Sequence, residues 1–175
     1  YLVALALAGA AQARLVGVSP LVLMVPKNAP GANAQAFFSA AKQAGDSWSY
    51  GSPGVGTVGH IGMELLKRKT GAKAIHVPYP GYAQVAGAMV GGQLQLSMLP
   101  PALALAQIRG DKLRAIGVTS SGRSALAPEL PSMSEAGVND FNLEIWNAVA
   151  APKTMPAALV VKLSTLVSEI TRSQD

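Results

Sequence analysis

His60 and Glu64 stand one helical turn apart, the spacing that puts two side chains on one face of a helix. An imidazole beside a carboxylate can do acid/base work. The same spacing also serves two structural roles. His60 can hydrogen-bond the loop beneath it, and Glu64 can pair with Arg68 on the next turn. The structural roles are the more economical reading, so no residue is assigned as catalytic.

Directly before His60 runs YGSPGVGTVGH, Tyr50 to His60. Gly51 and Gly56 have the spacing of a nucleotide phosphate loop, G-x-x-x-x-G-K-[ST]. Thr57 stands where that loop needs its lysine, and Val58 where it needs its magnesium-binding hydroxyl. A nucleoside triphosphate is therefore excluded. What remains is a glycine turn feeding a helix. Glycines at 51, 54 and 56 permit positive φ and close approach of a ligand. Their N–H groups, with those of Thr57 and Val58, would point out of the helix start and attract an anion without any cationic side chain. Ser52 and Thr57 would add hydroxyl donors. The stretch fits a plain tight turn capped by Thr57 equally well, and the residues alone leave both readings open.

Two further strand-to-helix junctions carry unusual residues. In HVPYPGY, His76 to Tyr82, prolines stiffen the loop and Gly81 allows close approach. Tyr79 or Tyr82 could line a pocket there or pack at the surface. In SMLPPAL a strand ends at Met98 and Leu99 before prolines open a helix, offering apolar walls and no charge. No carboxylate falls in any of the three junctions.

Other chemistries lack their residues. The chain has no cysteine, which removes disulfides, thiol nucleophiles and Cys-zinc sites. No H-E-x-x-H or G-x-S-x-G occurs, so neither a metal site nor a cofactor is expected. The formal charge of +5 attracts anions in general. Its one tight cluster, Lys67-Arg68-Lys69, reads as a solvated helix end, where cations complement the dipole. Nucleic acid binding would need a basic stripe with interleaved aromatics, which is absent. No apolar run is long enough to span a bilayer. The opening YLVALALAGAAQA ends like a signal peptide but has no basic start or initiator Met; a buried strand or helix is the default there.

The elements that must hold these junctions follow from periodicity. LVGVSPLVLMV, from Leu15 to Val25, is apolar on both faces and reads as a buried strand interrupted at Ser19-Pro20. Asn33 should cap a helix over 34–43 with Phe37 and Phe38 inward, stopped by Gly45. A short strand at 48–50 leads into the glycine loop. A helix over 58–69 follows, with Ile61, Leu65 and Leu66 as its apolar stripe. Strands are expected in AKAIHVPY, QLQLSML, KLRAIGVTS and FNLEIWNAVAAP, with helices after Gly81, Pro100 and Pro156. The last helix carries Leu159, Leu163, Leu166 and Ile170 on one face. Ser132 is a candidate cap over Glu135. Such alternation argues an α/β layer fold with a parallel or mixed sheet. Ligands of such sheets sit beyond the strands' carboxyl ends.

Four blocks, taken together and in order, resemble one family. They are YGSPGVGTVGHIGMELLKRKTG, HVPYPGYAQVAGAMVGGQLQL, QIRGDKLRAIGVTSSGRSALAPELPSMSEAGV and APKTMPAALVVKLSTLVSEI. They are similar to the substrate-binding proteins of tripartite tricarboxylate transporters, the Bug family, from about Leu15 onward; 1–14 match poorly. The resemblance implies an α/β type II periplasmic-binding-protein lobe, with a mixed sheet flanked by helices. It implies a periplasmic, non-enzymatic receptor that captures a small organic mono- or dicarboxylate and passes it transiently to transporter membrane subunits.

Carried onto this chain, one ligand wall would be Ser52, Gly54, Val55, Gly56, Thr57 and His60. A second would be Tyr79, Gly81 and Tyr82, and a third the Met98–Leu99 turn. Many relatives have Asp where this chain has Leu99, which makes this pocket more apolar. Relatives also begin with a further glycine-rich segment. The chain therefore reads as truncated, mostly the second lobe: 1–25 an N-terminal segment and inter-lobe strand, 26–140 the ligand-binding lobe, 141–175 a returning strand and C-terminal helix. The half-cleft left exposed could promote dimerisation. The alternatives are a ligand sensor presenting the same lobe to a signalling partner and, last, an enzyme using His60 and Glu64.

Overall fold

A computed structural model describes residues 10–172, with side chains over 15–171. The signal-like opening therefore lies mostly outside the described residues. The chain divides into two compact units, one of residues 19–145 and one whose described part is 10–18 with 146–172.

The larger unit is built on a mixed sheet in the order β4-β3-β5-β2-β6. These strands are β2 (Val22–Pro26), β3 (Ser49–Ser52), β4 (Ile75–Pro78), β5 (Leu96–Leu99) and β6 (Leu113–Val118). β3 runs parallel to β4 and β5, whereas β2 runs antiparallel to its neighbours β5 and β6. Val22, Leu23, Met24 and Val25 have no exposed surface, as a continuous apolar run in a doubly covered sheet should. Leu23 and Val25 face one core with Phe37, Tyr50, Met63, Leu66 and Met98. Val22 and Met24 face the other with Val85, Met89, Leu94, Leu99 and Ala104. The strand's two-residue side-chain period thus splits the core into two layers.

Helices α1 (Ala34–Ala44) and α2 (Val58–Thr70) supply the first layer, and α3 (Tyr82–Val90) and α4 (Pro101–Arg109) the second. Their ends are set locally. Asn33 Oδ1 accepts the Ala36 N–H at 2.9 Å. Thr57 caps α2, and Gly71 at φ 70° closes it by donating its N–H to the Lys67 carbonyl. Ser132 and Glu135 form a reciprocal capping box over a turn, as their types suggest.

The structure corrects three sequence expectations. Of the stripe expected on α2, Leu66 is buried and Leu65 packs against the core, but Ile61 is exposed and Gly59, Gly62 and Met63 are buried in its place. Small residues lie inward because β5 approaches closely: a Cβ at Gly62 would come within 2.6 Å of Met98 Sδ. The run from Leu15 to Val25 is two strands in two sheets, β1 (Ala10–Pro20) and β2. Leu15, Val16 and Val18 are exposed, not buried.

The smaller unit pairs β1 with β7 (Glu144–Pro152) and adds α5 (Ala157–Arg172). Leu159, Leu163, Leu166 and Ile170, expected on one face of α5, are exposed, and Val160 is buried. A two-stranded sheet and one helix have too little surface to cover each other's apolar faces.

Candidate functional site

Because β3, β4 and β5 are parallel, their carboxyl ends share one edge of the sheet, and each leads into a helix that starts there. Ser52 and Pro78 are register partners, and the Tyr79 N–H donates to the Ser52 carbonyl at 2.9 Å. The glycine loop and the HVPYPGY loop are therefore fixed side by side. The helices that follow have no acidic residue in their first turns. α3 and α4 also have no side-chain cap. Three positive helix ends with no carboxylate among them favour an anion at this edge.

The glycine loop is more self-contained than its sequence suggests. Gly54 at φ 137° and Gly56 at φ 83° adopt backbone conformations that L side chains rarely take. Their amides do not point free into solvent. The Gly54 N–H donates to Ser52 Oγ at 3.2 Å, and the Gly56 N–H to His60 Nδ1 at 3.3 Å. The Thr57 N–H turns back to the Gly54 carbonyl at 3.3 Å. Thr57 Oγ1 donates to that same carbonyl at 2.7 Å. Of the amides at 54–58, those of Val55 and Val58 alone have no described protein acceptor. The expected row of outward donors is thus mostly satisfied from within, because a tight turn brings its own acceptors within reach.

Behind the loop lies a polar and aromatic cluster spanning α2, β3 and β4. Glu64 accepts from Tyr50 Oη and from Lys67 Nζ, each at 2.7 Å. Its partners are thus Tyr50 and Lys67, not Arg68. Lys67 sits 5.4 Å over the Tyr50 ring, so it is not simply a solvated helix end. Lys69 donates to the Asn139 carbonyl at 3.0 Å. The His76 ring lies 5.0 Å from that of Tyr50 and 4.5 Å from that of His60. Its Nε2 is 2.7 Å from Ser52 Oγ.

The environment sets the charges. Burial pushes the His76 imidazole below its ordinary value, and the nearby His60 adds to this. Burial alone would raise the Glu64 carboxyl, but hydrogen bonds from Lys67 and Tyr50 outweigh it and hold the group below the usual range. Burial and the Glu64 acceptor push the Tyr50 phenol far up. Burial also raises the Tyr82 phenol, with the Gly59 backbone working against it.

Of the residues singled out from the sequence, Gly54, Val55, Gly56, Thr57, His60, Tyr79, Gly81 and Tyr82 gather at this edge. Val55 is the most exposed large apolar side chain among the described residues, at 78%. Ser52, Met98 and Leu99 have no exposed surface. Met98 and Leu99 sit in the cores on opposite faces of the sheet. The Ser52–His76 pair has the spacing of a nucleophile and its base; the Ser52 hydroxyl is buried and also accepts the Gly54 N–H. Tyr50, Lys67 and His76 are not among the ligand contacts expected from the sequence. The pairing of Tyr50 with His76 across two parallel strands is a matter of register, which has no local signal.

A separate open groove of about 1150 Å³ lies toward the opposite edge, lined by Lys42, Lys69, Arg114 and Glu135 among others. It contains none of the junction residues. Among the described residues, no group of three or more His, Cys, Asp or Glu could hold a metal ion, and no helix is long and apolar enough to cross a membrane.

Residues 10–173 match the family of the tripartite tricarboxylate transporter family receptor. An R. palustris protein solved with adipate is 28% identical, with a TM-score of 0.86 over 91% of this chain and 54% of its own. MatC from Rhodopseudomonas palustris, with bound malate, is 26% identical, with a TM-score of 0.83 over the same shares, 91% and 54%. The periplasmic binding protein BugD is 28% identical, with a TM-score of 0.83 over 91% and 54%. The chain spans about half the length of the first curated relatives it matches, 46% and 48%.

Proposed function

Because the chain belongs to the tripartite tricarboxylate transporter family of receptors, we propose that it serves in an extracytoplasmic receptor for a small organic carboxylate. The unit of residues 19–145 is the ligand-binding lobe of that receptor, within the periplasmic binding protein fold. Its carboxylate meets the edge formed by the ends of β3, β4 and β5. The observation that carries this reading is the convergence of three helix N-termini on that edge with no acidic residue in their first turns. The similar proteins solved with adipate and with malate support a dicarboxylate as the ligand class.

In this reading the contacts come from Val55 and Val58 N–H, the first turn of α3 beyond Gly81, and the Tyr79 and Tyr82 rings. Met98 and Leu99 act beneath the surface, packing β5 against both layers. The ligand is released to transporter membrane subunits without being changed. Neutral and dipolar donors fit that duty, since they bind an anion without the lasting attraction of a fixed cation. Thermal unfolding of the gene product with adipate, malate and a panel of mono- and tricarboxylates tests the proposal. A ligand present at 100 times its dissociation constant should stabilise the native state by about 2.7 kcal/mol. A melting temperature unmoved by every carboxylate in the panel would overturn it.

A further inference from the structure

We propose that the groove at the far end of the larger unit, between the ends of α1 and α2 and the start of β6, is a docking site for an acidic, extended segment of a partner protein. The groove contains none of the ligand-edge residues, so this docking does not depend on the carboxylate reading above. β2 is antiparallel to both β5 and β6. β6 therefore starts at the end of the sheet opposite the carboxyl ends of β3, β4 and β5. Arg114 stands at that start, and Lys42 and Lys69 lie in the last turns of α1 and α2.

The groove brings together cations from three separate elements. Lys42 crosses to the end of α2: a Cβ on Gly71 would sit 3.6 Å from its Cδ and Cε. Lys69 Nζ donates to the Asn139 carbonyl at 3.0 Å. Arg114 Nη2 donates to the carbonyls of Ala29 and Gly31, at 3.3 and 3.0 Å. These acceptors are neutral, so they aim the cations without cancelling their charge. Among the described residues the ion pairs are Lys27–Asp111, Glu64–Lys67 and Arg123–Glu135, and none includes a groove cation. Glu135 is the one carboxylate among the described lining residues, and Arg123 and the Ser132 N–H already engage it.

The bland role for Lys42 and Lys69 is to complement the helix ends they sit on. Each end carries only about half an elementary charge, so a positive surplus remains, and Arg114 on a strand has no such counterweight. The shape favours a chain over a small molecule. The groove is open and holds about 1150 Å³, above the range of about 300–1,000 Å³ that encloses a drug-sized ligand. Phe38, Ile116, Ala136 and Val138 contribute to its floor, all of them buried, while Lys42 and Lys69 are exposed and Arg114 is half-buried. A segment with several carboxylates matches cations spread over three elements, and such complementarity steers encounter and fixes register. Docking here leaves the ligand edge, at the other end of the unit, accessible.

The test uses the whole chain and a fluorescently labelled oligo-glutamate peptide, with oligo-glutamine as the uncharged control. Affinity is compared at fixed ionic strength among the wild type, a groove variant (Lys42→Gln with Lys69→Gln) and a variant of equal net charge (Lys153→Gln with Lys162→Gln). The lysines of the latter are exposed and belong to the smaller unit. The groove variant should bind about five- to tenfold more weakly, and the other variant within about twofold of wild type. Amide chemical shifts moved by the peptide should centre on the groove residues of α1, β6 and 135–139. Equal losses in the two variants would show diffuse attraction to a basic protein and overturn the proposal. Shifts centred on the ends of β3, β4 and β5, or no binding to the wild type, would overturn it as well. Citrate at matched ionic strength should not displace the peptide; displacement would assign the groove to a free small anion instead.

Discussion

Thr119 and Leu21 exchange two hydrogen bonds beside the central sheet. The Leu21 N–H donates to Thr119 Oγ1 at 2.8 Å, and the Thr119 N–H donates to the Leu21 carbonyl at 2.9 Å. The same hydroxyl donates to the Leu143 carbonyl at 2.6 Å. One side chain without exposed surface thereby ties together the segment that enters the larger unit and the segment that leaves it. Thr119→Val keeps the shape and removes the hydroxyl, leaving a buried donor and acceptor unpaired. It should cost about 1–3 kcal/mol in urea unfolding; a loss under about 0.5 kcal/mol would show that the staple is not structural.

Two helical glycines should respond to alanine with opposite signs. At Gly62 a Cβ would approach Leu143 Cδ2 to 2.4 Å and Met98 Sδ to 2.6 Å. Overpacking of about 1–3 kcal/mol should exceed the helix-propensity gain of about 1 kcal/mol, so Gly62→Ala destabilises. At Gly87, which is exposed, a Cβ meets nothing within 4 Å. There the propensity gain stands alone, and Gly87→Ala should stabilise by about 0.5–1 kcal/mol. Chemical denaturation of both variants checks the pair, and a shared sign contradicts the packing described for α2.

Gly56→Ala isolates the backbone requirement of the loop. No atom lies within 4 Å of the new Cβ, but the φ of 83° is unfavourable for any L side chain. The conformational cost is about 1–2 kcal/mol. Affinity for adipate should fall by roughly tenfold while the helical circular dichroism stays unchanged. Undiminished binding would mean that the loop does not need this conformation to hold its ligand.

Stability should fall with acid through two successive groups. The folded pKa of His76 lies below its ordinary 6.5. The unfolded chain therefore accepts a proton that the folded chain refuses, so this contribution is present above about pH 6.5 and lost as pH falls from there through the folded value. The folded pKa of Glu64 is also depressed, below 4.5. Its contribution is present above that value and lost as pH falls through the folded one. The Glu64 side chain is 43% exposed, so solvent screens its share. Melting temperature measured from pH 7.5 to pH 3.5 should decline in both windows. His76→Gln should flatten the upper one only, and an unchanged upper slope would assign it to another group.

The amino-acid order determined the elements and the three junctions of this protein. Asn33, Thr57, Gly71 and Pro101 mark helix ends by local backbone chemistry, and local chemistry is written in adjacent residues. The glycines at 54 and 56 announced an unusual loop for the same reason. Tertiary structure alone decided what that loop's donors do. His60 is close to Gly56 in the chain, but its neighbour His76 comes from another strand, and Tyr50 meets His76 only through strand register. The same holds for Ile61, which looked inward by periodicity and was displaced by small residues because β5 packs so closely. It holds for Glu64, whose partners are Tyr50 and Lys67 in place of the expected Arg68. Periodicity tells which face of a helix can be buried. What it is buried against, and which polar groups that contact satisfies, depends on residues far away in sequence that only the folded chain brings within hydrogen-bonding distance.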